Sequence, residues 1–256
     1  MNMDQVSAVV TGGASGLGEA TVREIVKQGG KATILDVQVE KGQGLAEELK
    51  GSVTFVETDV TDETSVTQAL DQAVSTYGSI NTVVNCAGIG NAEKTYSKSR
   101  GPHKLENFGK VLEVNLLGSF NVARLAAEKM SQNEANEEGE RGVIINTASV
   151  AAFEGQIGQV AYSASKGGIV GMTLPLARDL SSFGIRVLTI APGLVDTPLF
   201  AGLPEKARES LGKMAPFPQR LGYPKEYAML AKSLIENPLM NGEVIRLDGA
   251  IRMQPK

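Results

Sequence analysis

The chain has 256 residues, of which 42% are hydrophobic and 21% charged, the proportions of a soluble globular protein. Its net charge of −4 gives no strong basic field to draw it to nucleic acid or anionic lipid. One cysteine, Cys86, excludes an intramolecular disulfide and a Cys-rich zinc site; one histidine, His103, leaves no His cluster for a metal; and no apolar run approaches the ~20 residues of a membrane span.

Short apolar runs alternate with longer amphipathic stretches. Val6–Val10, Ala32–Leu35 and Val53–Val56 read as buried strands, followed by Thr82–Val84, Val143–Ile145, Val187–Ile190 and Val244–Leu247. Helical segments lie between most of them, such as Glu19–Gln28, Thr64–Tyr77 and Phe108–Met130. Strands rich in Val and Ile, alternating with helices, predict a parallel sheet covered on both faces. The expected fold is one α/β domain over residues 1–256, a doubly wound Rossmann sheet of about seven strands. Three segments break the regular spacing. Segment 91–107 is polar and carries Gly101-Pro102, and segment 199–220 holds three prolines. Both follow strands, at the end where open α/β sheets bind ligands, so both are expected to shape a substrate pocket. Segment 132–142 is acidic, precedes a strand, and reads as a solvated loop at the opposite edge.

Thr11-Gly12-Gly13-Ala14-Ser15-Gly16-Leu17-Gly18 follows the first strand and opens the first helix. Glycines here allow a tight turn and close approach of a pyrophosphate, and the N–H groups at the helix start receive its charge. A glycine-rich turn alone is weak evidence, but its setting between strand and helix strengthens it. Asp36 ends the second strand, 18 residues past Gly18, near the spacing at which a carboxylate meets the adenosine ribose. A 2′-phosphate about 4 Å away would be repelled by roughly 4 kcal/mol at an effective dielectric of about 20. NAD is therefore expected over NADP, unless Asp36 is merely an exposed strand-end residue. Asp59-Val60 closes the third strand, where an adenine edge could meet a carboxylate and an amide. Asn85-Cys86-Ala87-Gly88 closes the fourth with small residues, as expected where backbone passes a ligand. Taken alone, Cys86 reads as a small buried hydrophobe rather than a nucleophile.

Tyr162-Ser163-Ala164-Ser165-Lys166 heads a small-residue helix. Positions i and i+4 share a face, so Lys166 lies beside the Tyr162 phenol. A free tyrosine titrates at about 10. A neighbouring ammonium, with an oxidised nicotinamide close by, favours the phenolate, which can then exchange a proton with an alcohol or carbonyl. Ser149 ends the fifth strand, 13 residues earlier, where its hydroxyl can hold the reacting oxygen. A lone Tyr-x-x-x-Lys is weak and matches surface pairs by chance. Together with the glycine turn, Asp36 and Ser149 it defines a reaction site.

The set Thr11-Gly-x-x-x-Gly-x-Gly18, Asn85-x-Ala-Gly88, Asn115, Ser149, Tyr162-x-x-x-Lys166 and Pro192-Gly193 resembles the short-chain dehydrogenase/reductase family over almost the whole chain. The resemblance implies a catalytic tetrad of Asn115, Ser149, Tyr162 and Lys166, with Asn115 supporting a kinked helix and a proton-relaying water. By sequence alone Asn115 could equally be an ordinary helical polar residue. Segments 142–155, 161–175 and 241–253, with the inserted Lys94-Thr-Tyr-Ser, resemble the type II 3-hydroxyacyl-CoA dehydrogenase subgroup. Its animal members act on short-chain and branched 3-hydroxyacyl-CoA and some hydroxysteroids, use NAD and form homotetramers. Carried over, the resemblance puts NAD on Ser15, Leu17, Asp36, Asp59, Val60, Cys86, Tyr162, Lys166, Val195 and Thr197, with Gly12, Gly16, Gly18, Ala87, Gly88, Pro192 and Gly193 completing the cofactor site. Ser149 and Tyr162 would touch the substrate, and Gln159, with Gln156, is expected to face the acyl or pantetheine chain unless both are surface glutamines. The animal enzymes carry an aromatic residue at the position of Val195 and glycine at that of Asp196, which speaks against steroid use. His103, between Pro102 and Lys104, reads as a solvated loop residue. The N-terminus lacks the character of a signal peptide or a mitochondrial presequence, so the cytoplasm is the expected compartment.

The expected reaction is NAD-linked interconversion of a 3-hydroxyacyl-CoA and its 3-ketoacyl-CoA. The partner is a small acyl-CoA, with no nucleic acid, membrane or metal involved. A rival within the enzyme class is a 3-oxoacyl-carrier-protein or acetoacetyl-CoA reductase. A rival of another class is a non-catalytic NAD-binding regulatory or scaffold protein.

Overall fold

The computed structural model describes residues 1–198 and 204–255. The expectation for segment 199–220 therefore lies partly outside the described residues. From the N-terminus run β1 (Ser7–Thr11), α1 (Gly16–Lys27), β2 (Lys31–Asp36), α2 (Val39–Glu48), β3 (Val53–Glu57), α3 (Glu63–Tyr77) and β4 (Thr82–Asn85). A short hairpin, β5 (Tyr96–Ser97) and β6 (Gly101–Pro102), precedes α4 (Leu105–Leu112) and α5 (Gly118–Ser131). Then come β7 (Gly142–Thr147), α6 (Val160–Asp179), β8 (Ile185–Pro192), α7 (Glu205–Gly212), α8 (Pro224–Glu236) and β9 (Val244–Leu247).

The large sheet has seven strands in the order β3-β2-β1-β4-β7-β8-β9, every pairing parallel. Side-chain alternation divides its residues between two cores. Val10, Ile34 and Ile145 pack toward Ile25 of α1 and Tyr227 and Leu234 of α8. Val9, Leu35 and Ile144 pack toward Leu70 of α3, Val122 of α5 and Ala177 of α6. The chain winds one way from β1 and the other way from β4, so the crevice beyond these two carboxyl ends is the natural ligand site. Among the described residues, no helix is long and apolar enough to cross a membrane.

Two expectations are corrected here. The helix expected over Phe108–Met130 is interrupted: Glu113–Leu117 winds as a π turn between α4 and α5. Such bulges cluster at functional positions, and this one turns Asn115 fully inward. The acidic segment 132–142 is exposed through Gly139 apart from half-buried Asn133, but Glu140 is buried. Glu140 pairs with buried Arg186 at 2.7 Å, and Arg186 also donates to the carbonyls of Leu234, Ile235 and Met240. The pair thereby satisfies carbonyls at the end of α8. Removing one partner of a buried pair strands the other, at a cost of roughly 3–5 kcal/mol. Arg186→Ala is expected to lower the urea midpoint accordingly. An unchanged midpoint in chemical denaturation would contradict that role.

Candidate active site

The turn after β1 brings backbone closer to β4 than a side chain allows. Gly12 and Gly16 take φ of +61° and +57°, the left-handed region that favours glycine. A Cβ on Gly12 would stand 2.8 Å from the Ala87 nitrogen, and one on Gly18 would overlap the Gly12 carbonyl. The Thr11 hydroxyl accepts the N–H groups of Cys86 and Ala87, both at 3.1 Å, and so ties β1 to the end of β4. Asp36 is not an exposed strand end; it is 6% exposed. One carboxylate oxygen accepts the Ala14 N–H at 3.0 Å and the other the Gln38 N–H at 2.9 Å. Lone pairs remain on both oxygens for further donors.

A cleft of about 540 Å³ opens beyond these strand ends. Its floor is the turn, with Gly12, Ser15, Gly16, Leu17 and Gly18. One wall carries Asp36, Asp59 and Val60; the middle carries Cys86, Ala87 and Gly88. The far side holds Pro192, Gly193, Val195 and Thr197, together with Ser149, Tyr162 and Lys166. Every cofactor residue expected from the sequence lines this one cleft. Strand ends differ slightly from expectation: β3 stops at Glu57, so Asp59 and Val60 sit in the turn beyond it. Thr61 gives Asp59 two hydrogen bonds, which hold its carboxyl below the usual range.

The reacting groups are seated differently. β7 ends at Thr147, and Ser149 caps the short 3₁₀ turn Val150–Ala152, its Oγ accepting the Ala151 N–H at 3.1 Å. That bond leaves the Ser149 hydrogen for an acceptor on the cleft side, where the Tyr162 oxygen receives it. Tyr162 lies in the first turn of α6. Lys166 is buried one turn on, its Nζ 5.8 Å from the Tyr162 ring centre and donating to the Thr147 carbonyl at 2.7 Å. The pair is thus no surface coincidence. Within the protein, burial raises the Tyr162 phenol, and the hydrogen bond with Ser149 pulls it partly back. Burial also lowers the Lys166 ammonium to about 8. The acidifying charge is therefore not supplied by the side chains alone.

Asn115 does not line the cleft; it holds the wall behind it. Its Oδ1 accepts the Ile89 N–H at 2.8 Å, and its Nδ2 donates to the Ile89 carbonyl and to Ser165 Oγ. Gln159 lies outside this cleft and lines a neighbouring depression with Lys94, Tyr96 and Gln156. Its Oε1 accepts the Gln156 N–H at 2.9 Å, because the chain turns there and needs an acceptor. His103 is also not solvated. Its side chain is 9% exposed and lies 3.8 Å from the Glu93 carboxylate, with Phe108 against its ring. Glu93 also accepts from the Lys104 N–H and from Asn107, and so organises the inserted hairpin.

Sequence reasoning missed Gln38, Thr58, Ile89, Lys110 and Thr147, which line the cleft. Thr147 had a readable signal: it is a polar residue in register with Val143 and Ile145 at the end of a buried strand. Lys110 had none, since it reaches the cleft from the exposed side of α4.

The chain belongs to the family described as short chain dehydrogenase, whose model matches residues 6–208. Among its relatives, the human 3-hydroxyacyl-CoA dehydrogenase type-2 is 59% identical over 97% of this chain and 95% of its own length. The crystal structure of 3-hydroxyacyl-CoA dehydrogenase type-2 from Mycobacterium avium superposes with a TM-score of 0.93 at 46% identity, covering 98% of this chain and 97% of that one. A 3-ketoacyl-(acyl-carrier-protein) reductase from Brucella melitensis, solved with NADH, gives 0.86 at 28% identity, covering 96% and 98%.

Proposed function

We propose that the whole chain acts as one NAD-dependent dehydrogenase domain that interconverts a short-chain or branched 3-hydroxyacyl-CoA and its 3-ketoacyl-CoA. One observation carries the reading: the glycine turn, Asp36, Ser149, Tyr162 and Lys166 line the same cleft. The chain's residues fit the dinucleotide. The turn leaves no room for a Cβ at Gly12 or Gly18, and Asp36 keeps acceptor capacity for ribose hydroxyls. Bound in this cleft, NAD supplies the hydride acceptor. Tyr162 takes the proton of the substrate hydroxyl during oxidation and returns it during reduction. Ser149 turns its hydrogen from the Tyr162 oxygen to the reacting oxygen of the substrate. Lys166, anchored on the Thr147 carbonyl, supports the phenolate and holds the nicotinamide ribose. Asn115 acts through Ile89 and α6 as a positioning residue.

Because burial raises Tyr162, the oxidative kcat/KM is expected to rise with pH as the phenol ionises and to fall as it protonates. Gly18→Ala is expected to weaken NAD binding well over tenfold, read by nucleotide fluorescence, while the sheet still forms. The acyl-CoA assignment draws on the names of the similar dehydrogenases. The similar reductase bound to NADH makes the acyl carrier, not the cofactor, the discriminating variable. The deciding experiment is a spectrophotometric scan of straight and methyl-branched 3-hydroxyacyl-CoA esters with NAD, beside acyl-carrier-protein substrates with NADH and NADPH. Turnover confined to carrier-protein esters would refute the assignment. NAD binding without any turnover would favour a regulatory role.

Two further parts of the reading are assembly and compartment. Leu117, Phe120 and Leu174 are exposed apolar side chains, which supports a homotetramer; light scattering of the purified protein tests it. The free, half-buried thiol of Cys86 suits a reducing compartment such as the cytoplasm.

A further inference from the structure

Lys166 reaches its site from one face of the sheet, yet the residue that anchors it is itself anchored from the other. Thr147 is the last residue of β7 and points its side chain toward α8. There its Oγ1 donates to the Asn85 carbonyl at 2.6 Å and lies 2.7 Å from the Tyr227 hydroxyl. A threonine hydroxyl has one hydrogen. The Asn85 carbonyl can only accept, so that hydrogen is spent there, and Tyr227 must be the donor to Thr147. Cys86 Sγ, 3.7 Å from the Tyr227 oxygen, donates in turn to it. The direction of the chain is fixed: Cys86 S–H to Tyr227, Tyr227 O–H to Thr147, Thr147 O–H to the Asn85 carbonyl. On its other side, Thr147 offers its own carbonyl to Lys166 Nζ.

We propose that Tyr227 is a positioning residue for Lys166, acting through Thr147 from the opposite layer of the fold. Tyr227 is fully buried on α8, and it lies beyond the residues matched by the family model. Burial holds its phenol well above the ordinary value, so it remains a donor at every working pH. Losing that donor leaves Thr147 tied to the Asn85 carbonyl alone, so the end of β7 is held less firmly and its carbonyl meets the ammonium less squarely. The titratable groups facing Lys166 are Tyr162 on its own helix, Cys86 at the end of β4 and, behind Thr147, Tyr227. The ammonium then has burial against it and a weaker acceptor for it, so its protonated form is less favoured.

The inference rests on the assigned role of Lys166 but not on the acyl-CoA substrate. The titration that decides it therefore uses the protein without substrate or nucleotide. Lysine labelled with ¹³C at the ε carbon is titrated by NMR, and the Lys166 signal is identified by its loss in Lys166→Met. The wild-type midpoint is expected at about 8. Tyr227→Phe is expected to lower it by roughly half a unit or more and to reduce kcat more than it changes KM. Thr147→Ser keeps the hydroxyl and should keep the wild-type midpoint, while Thr147→Val should reproduce the shift. This second pair decides the matter if Tyr227→Phe does not fold. An unmoved Lys166 midpoint in Tyr227→Phe, or in Thr147→Val, overturns the inference. Failure of the acyl-CoA scan leaves the titration readable and overturns only the substrate assignment.

Discussion

Tyr162→Phe is expected to abolish turnover, by roughly 10²–10⁴-fold, the usual contribution of a positioned acid–base group, while NAD binds within a few-fold of wild type. The substitution removes one oxygen and preserves the ring, so the first turn of α6 and the packing around it are retained. What disappears is the proton acceptor. Ser149 still has its hydroxyl at the cleft, but an aliphatic hydroxyl is far too weak a base to take the substrate proton at neutral pH. Stopped-flow and steady-state rates with NAD, beside nucleotide affinity by fluorescence, read the two effects separately. Retained turnover would move the acid–base role elsewhere. Of the other titratable groups in the cleft, Lys166 stands one turn away with its ammonium lowered by burial to about 8, whereas burial pushes the Cys86 thiol up, away from service as a base.

The second large effect concerns the choice of cofactor. Asp36→Asn is expected to reduce the preference for NAD over NADP in kcat/KM by as much as a thousandfold, since the removed repulsion is roughly 4 kcal/mol. The effect has a structural side as well. Asp36 accepts one backbone N–H on each oxygen. Asparagine retains a single acceptor oxygen, so either Ala14 or Gln38 loses its partner. The turn loosens, and the KM for NAD is expected to rise even as NADP becomes tolerated. Parallel kinetics with both nucleotides separate these contributions. An unchanged preference would mean that the 2′ position lies elsewhere in the cleft.

The candidate site was legible wherever local backbone dictates function. Gly12 and Gly16 need positive φ, and Asp36 stands at a fixed distance from them along the chain. Tyr162 and Lys166 are one helical turn apart. Such spacings translate directly into geometry, because strand and helix have fixed rises. Less legible was anything that depends on what a side chain meets across the fold. Gln159 is a polar residue near the reacting groups, yet the turn at Gln156 engages it. His103 stands between exposed neighbours, yet Glu93 and Phe108 enclose it. Glu140 lies in a charge-rich segment, yet Arg186, 46 residues later, draws it inside.

The sequence by itself determined the alternation of strands and helices, the parallel sheet, the glycine turn, and the residues gathered at the strand ends. Tertiary structure alone decided which direction protons and hydrogen bonds run among them: that Lys166 rests on a carbonyl, that burial raises Tyr162, and that Tyr227 stands behind both. The reason is physical. Periodicity and turn chemistry act over a few residues and are written locally, whereas desolvation and hydrogen-bond partnership depend on which distant segments exclude water from the same point.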